Sequence, residues 1–206
     1  MSLALTLVAT DSLDAGFLLA EFGACLFRES SDYDGAKEAF AQALVIAERE
    51  QDLLLEMRTQ FFANEIDMWN LQWQDVPERG RRVIELAQLL DDPRTEALAS
   101  FEMIKVLAAI GEIAEAQRIS ESMLAAAEKL RDVSSLIFSF WTNGTLCRSV
   151  GDWEDASAFL ERGREVGRSG PLLLSDLVVI DHQTGDLDQG KAHVVQIQDN
   201  PASGFS

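Results

Sequence analysis

The chain is poor in cysteine, proline and basic residues, and each shortage argues against a class of protein. Its 206 residues include two Cys and four Pro, and 17 Lys and Arg stand against 35 Asp and Glu, for a formal net charge of −18. Nucleic-acid binding needs clustered basic side chains that contact phosphates, so we expect no direct contact with DNA or RNA. The acidity indicates a solvated outer surface or, less simply, attraction of a basic partner.

Targeting and membrane signals are also missing. Cys25 and Cys147 have no CxxC spacing and no neighbouring His, which is typical of free thiols in a reducing compartment. No uncharged apolar run reaches the roughly 18 residues of a membrane span, and the first residues lack the basic start of a signal peptide. We therefore expect a cytoplasmic location without membrane contact.

Catalytic and metal-binding patterns are absent from the sequence. There is no Gly-rich loop ending in Gly-Lys-Ser/Thr to hold a phosphate. His182 and His193 have no Cys nearby, so we expect no metal and interpret both as groove or surface residues. The sequence predicts a non-enzymatic protein without a cofactor. An enzyme with a carboxylate or His182 site in a groove is the least favoured alternative.

What the chain does have is a repeat of 40 residues. The same step links an aromatic or apolar anchor at Tyr33, Trp73, Ile113 and Trp153. Three residues after each anchor comes a residue of modest size that suits close helix contact, at Ala36, Val76, Ala116 and Ala156. Good N-cap residues keep the step at Ser12, Asp52, Asp92 and Asp132. Fixed-period similarity of this kind is typical of stacked helical hairpins.

The repeat predicts an all-α fold: a right-handed superhelix, or α-α solenoid, of about five antiparallel helix-turn-helix repeats of about 40 residues. The second helix of the second repeat is expected near Gln74 to Leu90. The last repeat is shorter, because Leu187 follows Trp153 by 34 residues. The predicted repeats are residues 12–51, 52–91, 92–131, 132–169 and 170–199, within one domain over residues 1–206. Neither end has a polar capping helix, which indicates a fragment of a larger protein or capping by a second copy.

Two segments carry a family resemblance. Gly151-Asp152-Trp153-Glu154-Asp155-Ala156 and the run from Ser31 to Leu44 resemble the second helix of tetratricopeptide repeats. The long period resembles the sensor segment of maltose-regulator-type bacterial signal-transduction regulators with a LuxR-type DNA-binding end. The resemblance implies a non-catalytic, regulatory scaffold that binds a protein, a peptide or a small effector in a concave groove. ATPase and DNA-binding parts would lie outside this chain.

In tetratricopeptide superhelices the first helices line the inner surface, and the 40-residue step aligns Phe61, Phe101 and Trp141 there. Core packing of these rings is the alternative interpretation, and it stays open. Lys105 lies in an apolar run and should face a groove or solvent, because burying it unpaired is unfavourable. Self-association into homo-oligomers is the alternative function. The full set of candidate groove residues is Arg58, Phe61, Glu65, Trp69, Phe101, Lys105, Phe138, Trp141, Thr145 and Arg148.

Overall fold

The computed structural model describes residues 8–167 and 171–199, without the side chain of residue 130. The described residues form helices and no strands, as the repeat predicts. Taken in pairs, the helices give five helix-turn-helix repeats. The helices of the described residues are α1 (Leu13–Ser30), α2 (Tyr33–Glu50), α3 (Leu53–Trp69), α4 (Val76–Leu89), α5 (Pro93–Ala109), α6 (Ile113–Leu130), α7 (Val133–Ser149), α8 (Trp153–Val166), α9 (Pro171–Thr184) and α10 (Leu187–Asp199).

The chain divides into two compact units, one up to Val106 and one from Leu107, and the division falls within α5. In unit 1 the first helices of consecutive repeats, α1 and α3, pack on each other, and in unit 2 the same holds for α7 and α9. The single domain over residues 1–206, its place in a larger protein and the right-handed superhelix stay predictions. Within the described residues, no helix is both long and apolar enough to cross a membrane.

The predicted helix caps are present at all four positions. In each, a side-chain oxygen accepts a hydrogen bond from the backbone N–H three residues later, which satisfies a donor that the helix itself leaves free. The donor–acceptor distances are 3.2 Å at Ser12, 2.7 Å at Asp52, 3.1 Å at Asp92 and 2.7 Å at Asp132. Local sequence alone therefore determines where these first helices begin.

The small residues of the repeat are buried. Ala36, Val76, Ala116 and Ala156 are each at most 1% exposed. Close approach of the paired helices explains this in unit 2. There a Cβ placed on Gly144 of α7 would lie 3.2 Å from the carbonyl oxygen of Ala156 on α8. The predicted close contact between the helices of a hairpin is confirmed there.

The turns inside successive hairpins share a backbone geometry that the sequence only partly shows. The left-handed conformation recurs every 40 residues, with φ of 54° at Ser31, 59° at Leu71, 89° at Gly111 and 82° at Gly151. A left-handed residue just after a helix is a common way to end it. Only two of these four positions are Gly, so residue type alone predicts the left-handed conformation at only half of the turns.

One predicted helix start is wrong. Helix α4 begins at Val76 rather than near Gln74, and Trp73 lies in the preceding turn. A helix capped at Trp73 would need the backbone N–H of Pro77 for its first hydrogen bond, and proline has none. The helix therefore starts later, where the N–H of Arg79 donates to the carbonyl of Asp75 at 3.1 Å.

Tyr33 links two repeats through its hydroxyl group. Its Oη donates to Oδ1 of the buried Asp67 at 2.6 Å, and Nη1 of Arg79 donates to Oδ2 of the same carboxylate at 2.8 Å. A buried carboxylate is tolerated when its oxygens are paired in this way. The anchor of the first repeat thus ties α2 to α3 and α4.

Each unit has its own apolar core. In unit 1 one cluster joins Ala15 and Ala20 of α1 to Ile46 of α2 and Leu55 of α3. A second cluster in the same unit is made of Met57, Val83, Leu86, Ala87 and Ala99. In unit 2 the cluster holds Ala156, Leu160, Leu173, Leu174, Leu177 and Ile180. These cores hold the first helices in place and so position the candidate groove residues.

Candidate functional site

The candidate groove residues all lie on the first helices of their repeats, and we describe them by unit. The first strip, in unit 1, consists of Arg58, Phe61, Glu65 and Trp69 on α3 and of Phe101 and Lys105 on α5. The second strip, in unit 2, consists of Phe138, Trp141, Thr145 and Arg148 on α7.

Two charged members of the first strip pair with α1 in a reciprocal pattern. Arg58 forms an ion pair with Glu21. Nη2 of Arg28 lies 2.6 Å from Oε2 of Glu65. Each helix thus contributes one arginine and one glutamate. Exposed ion pairs of this kind contribute at most about 1 kcal/mol each to stability. Through these pairs, Arg58 and Glu65 help to hold α1 beside α3.

The aromatic members of the first strip differ in burial. Phe61 is half-buried and packs against the cluster of Met57, Val83, Leu86, Ala87 and Ala99. Phe101 is also half-buried, and Nζ of the exposed Lys105 lies 5.1 Å from the centroid of its ring. Trp69, at the end of α3, is 66% exposed. The strip therefore includes a ring that packs on the core, at Phe61, and an indole that is open to solvent, at Trp69.

Glu102 lies beside the first strip and was not among the predicted residues. Burial first, and then the nearby Glu65 carboxylate, raise the pKa of its carboxyl group to about 8, and Lys105 acts in the opposite direction. Its Oε2 is sealed from solvent and has no hydrogen-bond partner among the described residues. The 40-residue step could have revealed it. The equivalent positions of the first, second and fourth repeats are Phe22, Phe62 and Thr142, so Glu102 is the one ionisable residue among these four.

Three members of the second strip meet at one carboxylate on α9. Nε1 of Trp141 donates to Oδ2 of Asp176 at 2.6 Å, and Oγ1 of Thr145 donates to the same atom at 3.4 Å. Nε of Arg148 lies 3.2 Å from Oδ1 of Asp176, as an ion pair without hydrogen-bond geometry. Phe138 packs beside Trp141, with 5.7 Å between the ring centroids. Asp176 therefore organises the second strip.

Little in the sequence pointed to Asp176. Its partners lie 35 residues away at Trp141 and 31 at Thr145. The shortened last repeat breaks the regular step there, so α9 cannot be aligned with α7 by adding 40. Trp141 also packs against the cluster around Leu160 and Leu173. Trp141 is therefore partly a core residue, which agrees with core packing as the alternative interpretation of Phe61, Phe101 and Trp141.

The interpretation of His193 as a groove or surface residue is wrong. Its side chain is buried, at 2% exposure, because α10 packs on α9, whereas His182 is exposed as expected. Nδ1 of His193 lies 2.7 Å from Oδ2 of Asp181, and its Nε2 lies 3.2 Å from Nε2 of Gln189. A buried histidine needs such partners. The pair is sealed inside unit 2 and ties α10 to α9.

No group of three or more His, Cys, Asp or Glu side chains among the described residues could hold a metal ion. The chemistry that the two strips offer is that of recognition: aromatic faces, an exposed indole, and ammonium, guanidinium and carboxyl groups. Such groups bind other molecules through stacking, cation–π contacts and hydrogen bonds.

Comparisons with known proteins identify the fold. No protein-family model matches the chain, and no curated protein does. The structure is similar to a Rap protein complexed with competence and sporulation factor, with a TM-score of 0.71 and 14% identity over 88% of this chain. The chain spans 54% of the length of that Rap protein.

Two structures of a putative kinesin light chain from Podosopora anserina with nearly identical TPR-like repeats are also similar. One, of a variant of that protein, has a TM-score of 0.72 and 16% identity, over 91% of this chain and 94% of the other. The second has a TM-score of 0.71 and 17% identity, over 95% of this chain and 99% of the other. The chain thus has the fold of TPR-like helical-repeat proteins.

Proposed function

We propose that the chain is a non-catalytic scaffold that binds a polypeptide segment on its first strip, as the tetratricopeptide resemblance implies. The observation that carries the proposal is Trp69. This indole is 66% exposed at the end of a first helix whose two other rings, Phe61 and Phe62, are half-buried. Exposed tryptophan is frequent at binding hot spots, because it buries a large area at little entropic cost.

A second member of the first strip supports a polypeptide as the ligand. Lys105 adds an exposed ammonium group to the first strip, and its contact with the Phe101 ring leaves it able to meet a ligand acceptor as well. The Rap protein of similar fold is complexed with competence and sporulation factor. We propose a concave groove for the binding, and a cytoplasmic, regulatory role in signal transduction or transcription within a larger bacterial protein.

A random dodecapeptide phage library is the probe that tests this proposal. We expect enrichment of peptides that bind the full chain in calorimetry and lose about tenfold or more in affinity with Trp69→Ala, which corresponds to about 1.4 kcal/mol. The matched control is Leu89→Ala, which removes an equally exposed apolar side chain, 66% open, from the second helix α4. The proposal fails if no peptide is enriched, or if both variants change the affinity alike.

Self-association is a second candidate, and α10 favours it. This helix exposes Val194 and Val195, at 39% and 51%. Adjacent exposed apolar residues could cover a matching surface of a second copy. Sedimentation velocity over a range of concentrations tests this, with Val195→Glu as the disrupting variant. A mass that stays that of a monomer at every concentration would exclude it.

A further inference from the structure

The side chain of Glu102 is half-buried, and one oxygen of its carboxyl group lacks a hydrogen-bond partner among the described residues. Its Oε2 is closed off from solvent, and no described residue offers it a hydrogen bond. Buried polar atoms without a hydrogen bond are rare in folded proteins, and each needs an explanation. A bound group that donates to this oxygen would provide one.

The neighbouring charges do not neutralise Glu102. Glu65 already pairs with Arg28 at 2.6 Å and acts on Glu102 only by repulsion. Lys105 is three residues away on the same helix, but its Nζ lies over the Phe101 ring, 5.1 Å from the centroid. Repulsion by the Glu65 carboxylate therefore outweighs attraction by Lys105 at the Glu102 carboxyl group.

We propose that Glu102 is the anchoring point for a cationic side chain, arginine above all, of the segment bound on the first strip. This inference rests on the proposed function and names the chemistry of its ligand. A guanidinium group can donate two parallel hydrogen bonds to a carboxylate, which favours arginine over lysine at this position. The net charge of −18 would also draw a basic segment toward the chain.

Binding should be linked to proton release. Without ligand, burial keeps the Glu102 carboxyl group largely protonated near neutral pH, because its pKa is raised to about 8. A guanidinium group beside it favours the ionised form, so the proton leaves as the cation arrives. A merely structural glutamate would show no such linkage to a ligand.

Two synthetic peptides of the same shape serve as probes: Ac-Ala-Leu-Arg-Leu-Ala-amide and its analogue with citrulline, the neutral isostere, in place of arginine. We expect the arginine peptide to bind about tenfold or more tightly than the citrulline peptide at pH 7, or about 1.4 kcal/mol. In ¹³C-glutamate-labelled protein, only the arginine peptide should lower the pKa of Glu102. The Glu102 signal is assigned by its absence in Glu102→Gln.

Two variants complete the test. Glu102→Gln keeps the shape of the protonated acid and should fold, which circular dichroism checks, but it should lose the preference for arginine. Glu48→Gln removes the same charge from an exposed position on α2 and should keep that preference. The inference is overturned if wild-type protein binds both peptides equally, if it binds neither, or if the preference survives in Glu102→Gln. Phage-selected peptides that depend on Trp69 would still support the proposed function in each of those cases.

Discussion

Asp176 on α9 accepts a 2.6 Å hydrogen bond from the indole N–H of Trp141 on α7. Arg148 forms an ion pair with the same carboxylate, with 3.2 Å between Nε and Oδ1. The first helices of the last two repeats are therefore joined by polar contacts as well as by the core of unit 2. The residues that the sequence assigned to a groove thus also stabilise the stacking of repeats.

We predict that Asp176→Ala lowers the free energy of unfolding by about 2 kcal/mol, because hydrogen bonds to charged groups contribute about 1.5–3 kcal/mol. Urea unfolding followed by circular dichroism measures this. Asp188→Ala on α10 is the control: that carboxylate is 97% exposed and pairs only with Lys191 among the described residues. Its loss should change stability by less than about 0.5 kcal/mol. Equal losses in the two variants would show that the Asp176 contacts contribute nothing specific.

We predict that Asp52→Ala lowers the free energy of unfolding by about 1 kcal/mol, which is the usual effect of removing an N-cap side chain. Asp75 provides the matched control. It occupies the N-cap position of α4, but its side chain makes no capping hydrogen bond. Asp75→Ala should therefore have a clearly smaller effect. Thermal and urea unfolding of both variants check this, and a larger loss for Asp75→Ala would contradict it.

We predict that Ala156→Leu destabilises the chain by about 1–3 kcal/mol, the usual effect of overpacking a close contact. Ala156 is fully buried, at 0% exposure, where α8 meets Gly144 of α7. Ser157→Leu, one residue further along α8 and only half-buried, is the comparison. Equal losses of stability in the two variants would show that the contact between α7 and α8 can accommodate a larger side chain at Ala156.

We predict that Glu102→Gln becomes more stabilising, relative to wild type, as the pH rises from about 5 to 9. The folded-state pKa of about 8 lies above the ordinary value of 4.5, so the folded chain binds more protons than the unfolded chain between these values. The free energy of unfolding of the wild type therefore falls as the pH rises through that window, by up to about 1.4 kcal/mol for each pH unit. Gln cannot ionise and avoids the loss.

Urea unfolding of wild type and Glu102→Gln at pH 5, 7 and 9 measures the difference directly. Glu48→Gln, on the exposed face of α2, should show no such growth with pH. A difference between wild type and Glu102→Gln that stays constant over this range would mean that the carboxyl group titrates at its ordinary pKa.

The regular features of the fold could be predicted because they depend on local sequence. Ser12 and Asp52 cap helices with their own following residues, and Ala36 sits at a fixed distance from its anchor, so a 40-residue step is enough to find them. The later start of α4 could have been predicted too, since Pro77 has no N–H to give.

The polar contacts of the candidate site could not be predicted in the same way. They depend on how one helix is rotated against the next, which a period does not specify. Arg58 meets Glu21 and Glu65 meets Arg28 only after α1 and α3 pack. The partners of Asp176 lie across the shortened repeat, and His193 is buried because α10 covers it.

Hydrogen–deuterium exchange of the full chain with a phage-selected peptide tests the central claim most directly. Peptide binding on the first strip should slow exchange in the first helices α3 and α5, around Trp69 and Lys105, and leave the second helices α2 and α4 close to their free rates. Trp69→Ala should remove this protection. Protection confined to α2 and α4, or the same pattern of protection in Trp69→Ala, would contradict binding on the first strip.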